Sequence, residues 1–221
     1  FIALFSTYKP QKLNSLKKNN IEKILIENNY ILKKEEIKKK LSSIYQTNLL
    51  FLDYSNIEEI LKKDSFIKSF EIKKIYPNKI KITIIEKKPI AILHYKKKTF
   101  YISRNINFIE YIDLKNYNNL PNVFGGKDNF KSLYNELKKI NFQFNLIKNF
   151  YFYEAKRWDL ETYENQIIKL PVKNYTKSLE NFMNFKKKYN FDNYKVFDYR
   201  INGQLILKWY GIFISNTYYR N

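Results

Sequence analysis

The sequence predicts an α+β chain in two parts: a β-α-α-β-β unit, then a mixed β domain that contains two helices and closes on a terminal edge hairpin. Three observations lead there. Between Ile21 and Lys88 the apolar spacing runs as strand, helix, helix, strand, strand. From about Pro89 onward short alternating strands and turn residues dominate, with two helical stripes among them. The stretch FDYRINGQLILKW, Phe197 to Trp209, has an apolar residue or glycine at every odd position and is broken by Asn202-Gly203, a strong hairpin signal.

The elements follow in order. IEKILIENNYI from Ile21 reads as an isoleucine-rich strand, and KKEEIKKKLSSI as a helix with Ile37, Leu41 and Ile44 on its buried face. A second helix follows NLLFLDY, with Ile57, Ile60 and Leu61 as its stripe; Ser55 three residues before Glu58 reads as a capping box worth about 1 kcal/mol. SFEIKKIYPNKIKITIIEKKPIAIL gives two strands joined at Tyr76-Pro77-Asn78, with Pro77 and Asn78 as the central turn positions. In the second strand Ile80, Ile82 and Ile84 alternate with Lys79, Lys81 and Thr83. Such an order buries both helices on one face of a three-stranded sheet.

Beyond Pro89, FYISRNINFIEYI is the clearest strand pair, with Leu120-Pro121 and Gly125-Gly126 as punctuation. One helix lies in NFKSLYNELKKI, with Phe130, Leu133, Tyr134, Leu137 and Ile140 on a stripe. A second lies in KSLENFMNFKKKY, with Leu179, Phe182 and Tyr189. NFYFYEAKRWDLETYENQIIKLP between them reads as three short strands. In the terminal hairpin a two-residue turn would pair Arg200 with Leu205 and Asp198 with Leu207, putting apolar against polar. A loop from Ile201 to Gly203 instead pairs Tyr199 with Leu205 and Phe197 with Leu207, with Gly203 left-handed, and this register is expected. Gln204 to Trp209 then forms a last strand with one backbone edge open, unless residues 210 to 221 fold back over it.

Composition narrows the function. With 44% hydrophobic and 18% aromatic residues the 221-residue chain is too apolar for disorder, and no run reaches the roughly 20 residues of a membrane span. It opens FIALFSTY without methionine, which reads as a fragment beginning in the stump of a membrane helix or signal region. The net charge of +20 would suit an anionic partner. Yet 37 of the 41 basic residues are lysines spread from end to end, alongside heavy use of Ile, Asn, Phe and Tyr, as A/T-rich codons dictate. Specific nucleic-acid readers use clustered arginine and aromatics instead, so no specific nucleic-acid site is expected.

Enzymatic chemistry has no foothold. Cysteine is absent, and the single histidine, His94, lacks the partners of a triad or metal site. The four glycines form neither a dinucleotide fingerprint nor a phosphate loop. Glu35-Glu36 and Glu58-Glu59 are helix neighbours that do not share a face. No catalytic residue, cofactor or metal is expected.

The order of motifs resembles the FtsQ/DivIB family of bacterial cell-division proteins. The β-α-α-β-β module ending in YPNKIKITIIEKKPIAIL resembles the family's POTRA domain. FYISRNINFIEY resembles the strand pair opening its β domain, LPNVFGG its Leu-Pro-to-Gly turn, KRWDLETYENQIIKLP its Arg-Trp strand, and FDYRINGQLILKW its Asp-x-Arg terminal hairpin. Two departures stand out. Leu32-Lys33 replaces the expected Ser or Thr cap of the first helix, and Asn105-Ile106-Asn107 stands where a turn glycine is usual.

The resemblance implies a division into the end of a membrane anchor and linker (1–19), a POTRA domain (20–88), an FtsQ-type β domain (89–210) and a C-terminal tail (211–221). It implies a non-enzymatic scaffold of the division septum, crossing the bacterial inner membrane once, with this part of the chain in the periplasm. FtsB and FtsL homologues are then the expected partners, with FtsB adding a strand at the terminal edge. Arg157, Arg200, Ile201, Gly203, Gln204, Leu205, Ile206, Leu207 and Trp209 are the expected contact residues, the arginines by forked hydrogen bonds to partner carboxylates. The competing class is a POTRA module of an outer-membrane assembly or transport protein, and a basic nucleic-acid-binding protein ranks below it.

Overall fold

The computed structural model of the chain describes residues 19–189, 193–201 and 203–209. It divides into two compact units between Lys88 and Pro89. The expected anchor stump FIALFSTY, Asn202 and the tail from residue 210 lie outside the described residues.

The first unit runs β1 (Lys23–Glu27), α1 (Lys34–Lys40), α2 (Ser55–Lys63), β2 (Ile67–Ile75) and β3 (Lys79–Glu86), in sheet order β1-β3-β2. β1 is parallel to β3, with Ile24 opposite Ile80 and Ile26 opposite Ile82, while β2 is antiparallel to β3. A parallel neighbour requires a crossover, and the two helices supply it. Ile80, Ile82 and Ile84 are fully buried, as are Ile37, Leu41, Ile44, Ile57 and Leu61 of the helical stripes. Ile75 pairs with Lys79, so residues 76 to 78 form the loop, and the Tyr76–Pro77 peptide within it is cis.

The expected capping box at Ser55 does not form. The Asp53 carboxylate intercepts Ser55 first, accepting its backbone N–H at 3.1 Å and its hydroxyl at 2.5 Å. Glu58 turns the other way, to Lys62 at 2.7 Å. An aspartate two residues ahead offers the closer acceptor, which a scan for Ser-x-x-Glu does not weigh. At the uncapped start of α1 a different device appears. The carboxylate of Glu86, at the end of β3, accepts the backbone N–H groups of Tyr30, Ile31 and Leu32 at 3.0, 2.8 and 2.8 Å.

The second unit begins with β4 (Pro89–Tyr95), β5 (Lys98–Ser103), β6 (Phe108–Glu110), β7 (Asn122–Phe124), α3 (Lys127–Lys139) and β8 (Ile147–Phe152). It continues with β9 (Trp158–Thr162), β10 (Ile167–Lys169), α4 (Tyr175–Lys188), β11 (Tyr194–Asp198) and β12 (Ile206–Trp209). The nine strands from β4 to β12 join one sheet, in order β12-β11-β10-β9-β8-β7-β4-β5-β6. The β4–β7, β7–β8 and β10–β11 ladders are parallel, and α3 and α4 are the crossovers for the last two.

One row of side chains defines the core. Leu93, Val123, Phe150, Leu160, Ile168 and Phe197 stand opposite one another across β4, β7, β8, β9, β10 and β11, all but excluded from solvent. Phe130, Leu133 and Leu137 of α3 and Leu179 and Phe182 of α4 belong to the same cluster. Ring pairs lock the contact: Phe130 meets Phe150 edge-on at 5.6 Å and Phe182 meets Phe197 at 5.0 Å. Tyr189 is 59% exposed and stands past the end of α4, off the buried stripe on which its spacing had placed it.

Candidate functional site

The terminal hairpin takes the expected register. Phe197 pairs with Leu207 and Asp198 with Ile206, so the Asn202-Gly203 turn is not the tight two-residue kind. The N–H of Gln204 donates to the Ile201 carbonyl at 3.1 Å, and Gly203 is left-handed at φ +75° with open space around its Cα. The last strand is shorter than expected, Ile206–Trp209 in place of Gln204 to Trp209. Leu205 and Leu207 pack against the core cluster. Trp209, on the same alternation, is 66% exposed: a bulge at Lys195 shifts the register beyond Val196, and Trp209 pairs with Tyr194 at the strand's end. Ile201 and Ile206 are exposed too, and Gln204 lies open beside them. Among the described residues β12 has a ladder partner on one side only, β11.

The two arginines are already occupied by the chain's own carboxylates. Arg200 forks onto Asp198, Nε to Oδ1 at 2.8 Å and Nη2 to Oδ2 at 2.6 Å, and its backbone N–H adds a bond to Oδ1 at 3.1 Å. Arg157 donates to Asp159 and stacks its guanidinium 4.5 Å above the Tyr153 ring. Asp159, Lys169 and Asp198 are direct cross-strand neighbours on β9, β10 and β11. The structure thus joins Arg157 and Arg200 through a row Asp159–Lys169–Asp198 that continues to Ile206 on β12. Arg157 itself is three strands from β12, or roughly 14 Å at the usual inter-strand spacing.

The two aspartates differ in kind. The forked hydrogen bonds from Arg200 hold the Asp198 carboxyl below the ordinary aspartate range, against some burial. Burial pushes the Asp159 carboxyl upward, and Arg157, Lys169 and Arg200 offset this only in part. Next to them the phenol of Tyr199 is buried with no hydrogen-bond partner for its hydroxyl among the described residues, and burial raises its pKa strongly.

The row extends the other way as well. Tyr151 stands opposite Asp159, Phe124 opposite Tyr151 and His94 opposite Phe124, with the three rings stacked at 5.0 and 4.8 Å. Beside this stack His94 Nε2 contacts Asn122 Oδ1 at 2.9 Å, Asn122 donates to Asn149, and Asn149 and Tyr151 donate to Glu161. Strand alternation announces that Asp159 and Glu161 face away from Leu160. Nothing in it announces that Lys169, Asn149 or His94 stands beside them. Among the described residues no three His, Cys, Asp or Glu side chains gather as a metal site, and no helix is long and apolar enough to cross a membrane.

Comparison with known proteins bears on both units. Residues 19–87 match the family model described as POTRA domain, FtsQ-type. The cell division protein FtsQ of Rickettsia typhi is 27% identical over 194 residues, which span 86% of this chain and 73% of that protein. The cell division protein DivIB of Clostridium tetani is 30% identical over 131 residues, 59% of this chain and 48% of that one. Among solved structures, the major extracytoplasmic domain of the trans isomer of DivIB from Geobacillus stearothermophilus aligns with a TM-score of 0.33 at 10% identity, over 48% of this chain and 99% of that one.

Proposed function

Because the chain belongs to the FtsQ/DivIB family of cell-division proteins, we propose that it is a non-enzymatic scaffold of the bacterial division machinery whose second unit accepts a strand from an FtsB homologue along β12. In this reading an FtsL homologue joins through the same complex. The protein is held in the inner membrane by a single span ahead of Asn19 and works at the septum from the periplasmic side.

The observation that carries the reading is that, among the described residues, β12 is paired on one side only, at the end of a nine-stranded sheet. Edge strands left open invite another chain, and proteins that do not want one cover or charge them. Among the described residues β12 offers Ile206 and Trp209 to solvent, with Lys208 as the one charge along it. An added strand would gain affinity from backbone hydrogen bonds and specificity from side chains at alternate positions. Arg200 beside the turn supports the same reading, since its side chain stays 45% exposed while paired and can share its fork with an incoming carboxylate.

The test uses backbone chemistry. Neighbouring residues of an antiparallel edge strand point their N–H groups alternately inward and outward. Of Ile206→Pro and Leu207→Pro, one therefore leaves the β11–β12 ladder intact and removes an outward donor. That variant is expected to stay folded and lose capture of FtsB in a pull-down, and Trp209→Ala to weaken capture by about 2 kcal/mol as a lost aromatic anchor. Folded variants that all capture FtsB at full strength would move the docking site elsewhere.

A further inference from the structure

One end of the first unit gathers exposed apolar side chains around the point where the chain enters. The N–H of Leu49 donates to the Asn19 carbonyl at 2.8 Å, and Asn20 forms a bridge with Asn48. The loop after Asn48 therefore lies against the first described residues. At its tip Leu50 is 45% and Phe51 78% exposed. The β2–β3 turn reaches the same end: the N–H of Glu22 donates to the Asn78 carbonyl at 2.9 Å, and Asn78 Nδ2 to the Glu22 carboxylate at 2.5 Å. That turn carries Tyr76, 59% exposed.

The loop is braced in this position. Lys74 of β2 donates to the carbonyls of Leu50 and Leu52, at 3.4 and 3.3 Å, and its ammonium lies 5.4 Å from the centre of the Tyr54 ring. Two further lysines stand at the same level, Lys23 and Lys79, paired across β1 and β3 and both exposed.

We propose that this end of the first unit is a membrane contact, in which Leu50, Phe51 and Tyr76 sit in the headgroup layer of an anionic phospholipid bilayer while Lys23 and Lys79 meet its phosphates. The proposal rests on the reading that the chain is anchored ahead of Asn19, the residue at which the chain enters this end of the unit. Its chemistry is that of an interfacial site: apolar and aromatic side chains on loop tips, with lysines that reach phosphate from beside them. A strand or helix of a protein partner would ask for an open edge or a groove, and Leu50, Phe51 and Tyr76 protrude from turns. The contact fixes the orientation of the first unit, because two loops from different parts of the sequence touch the surface together.

The 221 residues contain no cysteine, so a single spin label placed among them competes with no other thiol of this stretch, and any cysteine ahead of it is replaced by serine. The full protein is reconstituted in vesicles of phosphatidylethanolamine with a minor fraction of phosphatidylglycerol and labelled through Leu50→Cys, or through Tyr30→Cys as control. Tyr30 is 85% exposed and lies past the far end of β1. The label at 50 is expected to be shielded from a water-soluble relaxation agent and open to oxygen, and the label at 30 to be open to both. Adding Phe51→Ser and Tyr76→Ser, both at exposed positions that leave the core untouched, is expected to abolish the shielding.

Equal aqueous access at 50 and 30 in protein that floats with the vesicles overturns the contact and leaves the anchor standing. Protein that does not float overturns both. Shielding at 50 that Phe51→Ser and Tyr76→Ser leave unchanged, or that is equal in vesicles with and without phosphatidylglycerol, overturns the contact as proposed.

Discussion

Asp159 and Asp198 flank the same lysine, one strand to either side, yet their carboxyl groups are displaced in opposite directions. For Asp198 the arginine fork favours the charged form. Its contribution to stability is therefore whole above the ordinary aspartate range and is lost as pH falls through the lowered folded value. For Asp159 desolvation favours the neutral form, so its ionisation costs stability as pH rises through the raised value. In a carboxyl-detected NMR titration Asp159 is expected to titrate above the ordinary range and Asp198 below it. The hairpin should loosen only in the second step, and coincident titration would show that the fork does not govern Asp198. The neighbouring phenol gives a simpler expectation. Tyr199→Phe removes a buried hydroxyl with no partner among the described residues, and should raise stability by about 1 kcal/mol in denaturant melts. A loss of stability would reveal a partner for that hydroxyl.

At the scale of elements, Glu86 shows what a linear reading can and cannot supply. The Ile80–Ile82–Ile84 alternation fixes the buried face of β3, and Glu86 follows in sequence as one more surface carboxylate. Its partners, the amides of residues 30 to 32, are more than fifty positions away and carry no side-chain signature, because backbone N–H groups are common to every residue type but proline. Glu86→Ala is expected to destabilise the first unit by roughly 3 kcal/mol, since three charge-assisted bonds vanish together, with the second unit unchanged. A thermal melt in which both units shift alike, or neither does, would contradict that local role.

The same logic separates what was legible in the second unit from what was not. Phe130, Leu133 and Leu137 repeat at helical spacing and are buried as expected. The hairpin register followed from matching apolar to apolar across Gly203. Sheet order did not follow, because alternation tells which face a residue takes and not which strand lies beside it. The parallel pairing of β10 with β11 across α4, which lines Lys169 up with Asp198, therefore emerged only in three dimensions. Ile106 is a second instance: a β-branched residue at φ +57° is 4% exposed in a turn where glycine was usual, so apolar burial outweighs the roughly 1 to 2 kcal/mol of a left-handed backbone.

For the whole molecule, the division at Lys88–Pro89 carries an expectation of its own. Limited trypsin digestion should cut after Lys87, the Lys88–Pro89 bond being resistant to trypsin, and release two pieces that each melt cooperatively; a single transition lost on cleavage would mean one folding unit. The charge of +20 gives another. If the lysines reflect codon usage on a solvated surface, duplex and single-stranded DNA should bind weakly, without sequence preference, and dissociate as salt rises. Tight, sequence-selective gel shifts would count against this.

The position of β12 also has a meaning in time. Chains are made from the N-terminus, and β12 follows the eleven other strands of the described residues. A molecule stalled or clipped before residue 206 can bury Leu93, Val123, Phe150, Leu160 and Ile168 and still offer no Ile206–Trp209 strand. If the proposed strand addition at β12 holds, a partner that reads this strand would engage only copies synthesised at least as far as Trp209, and docking itself would select against chains truncated before it.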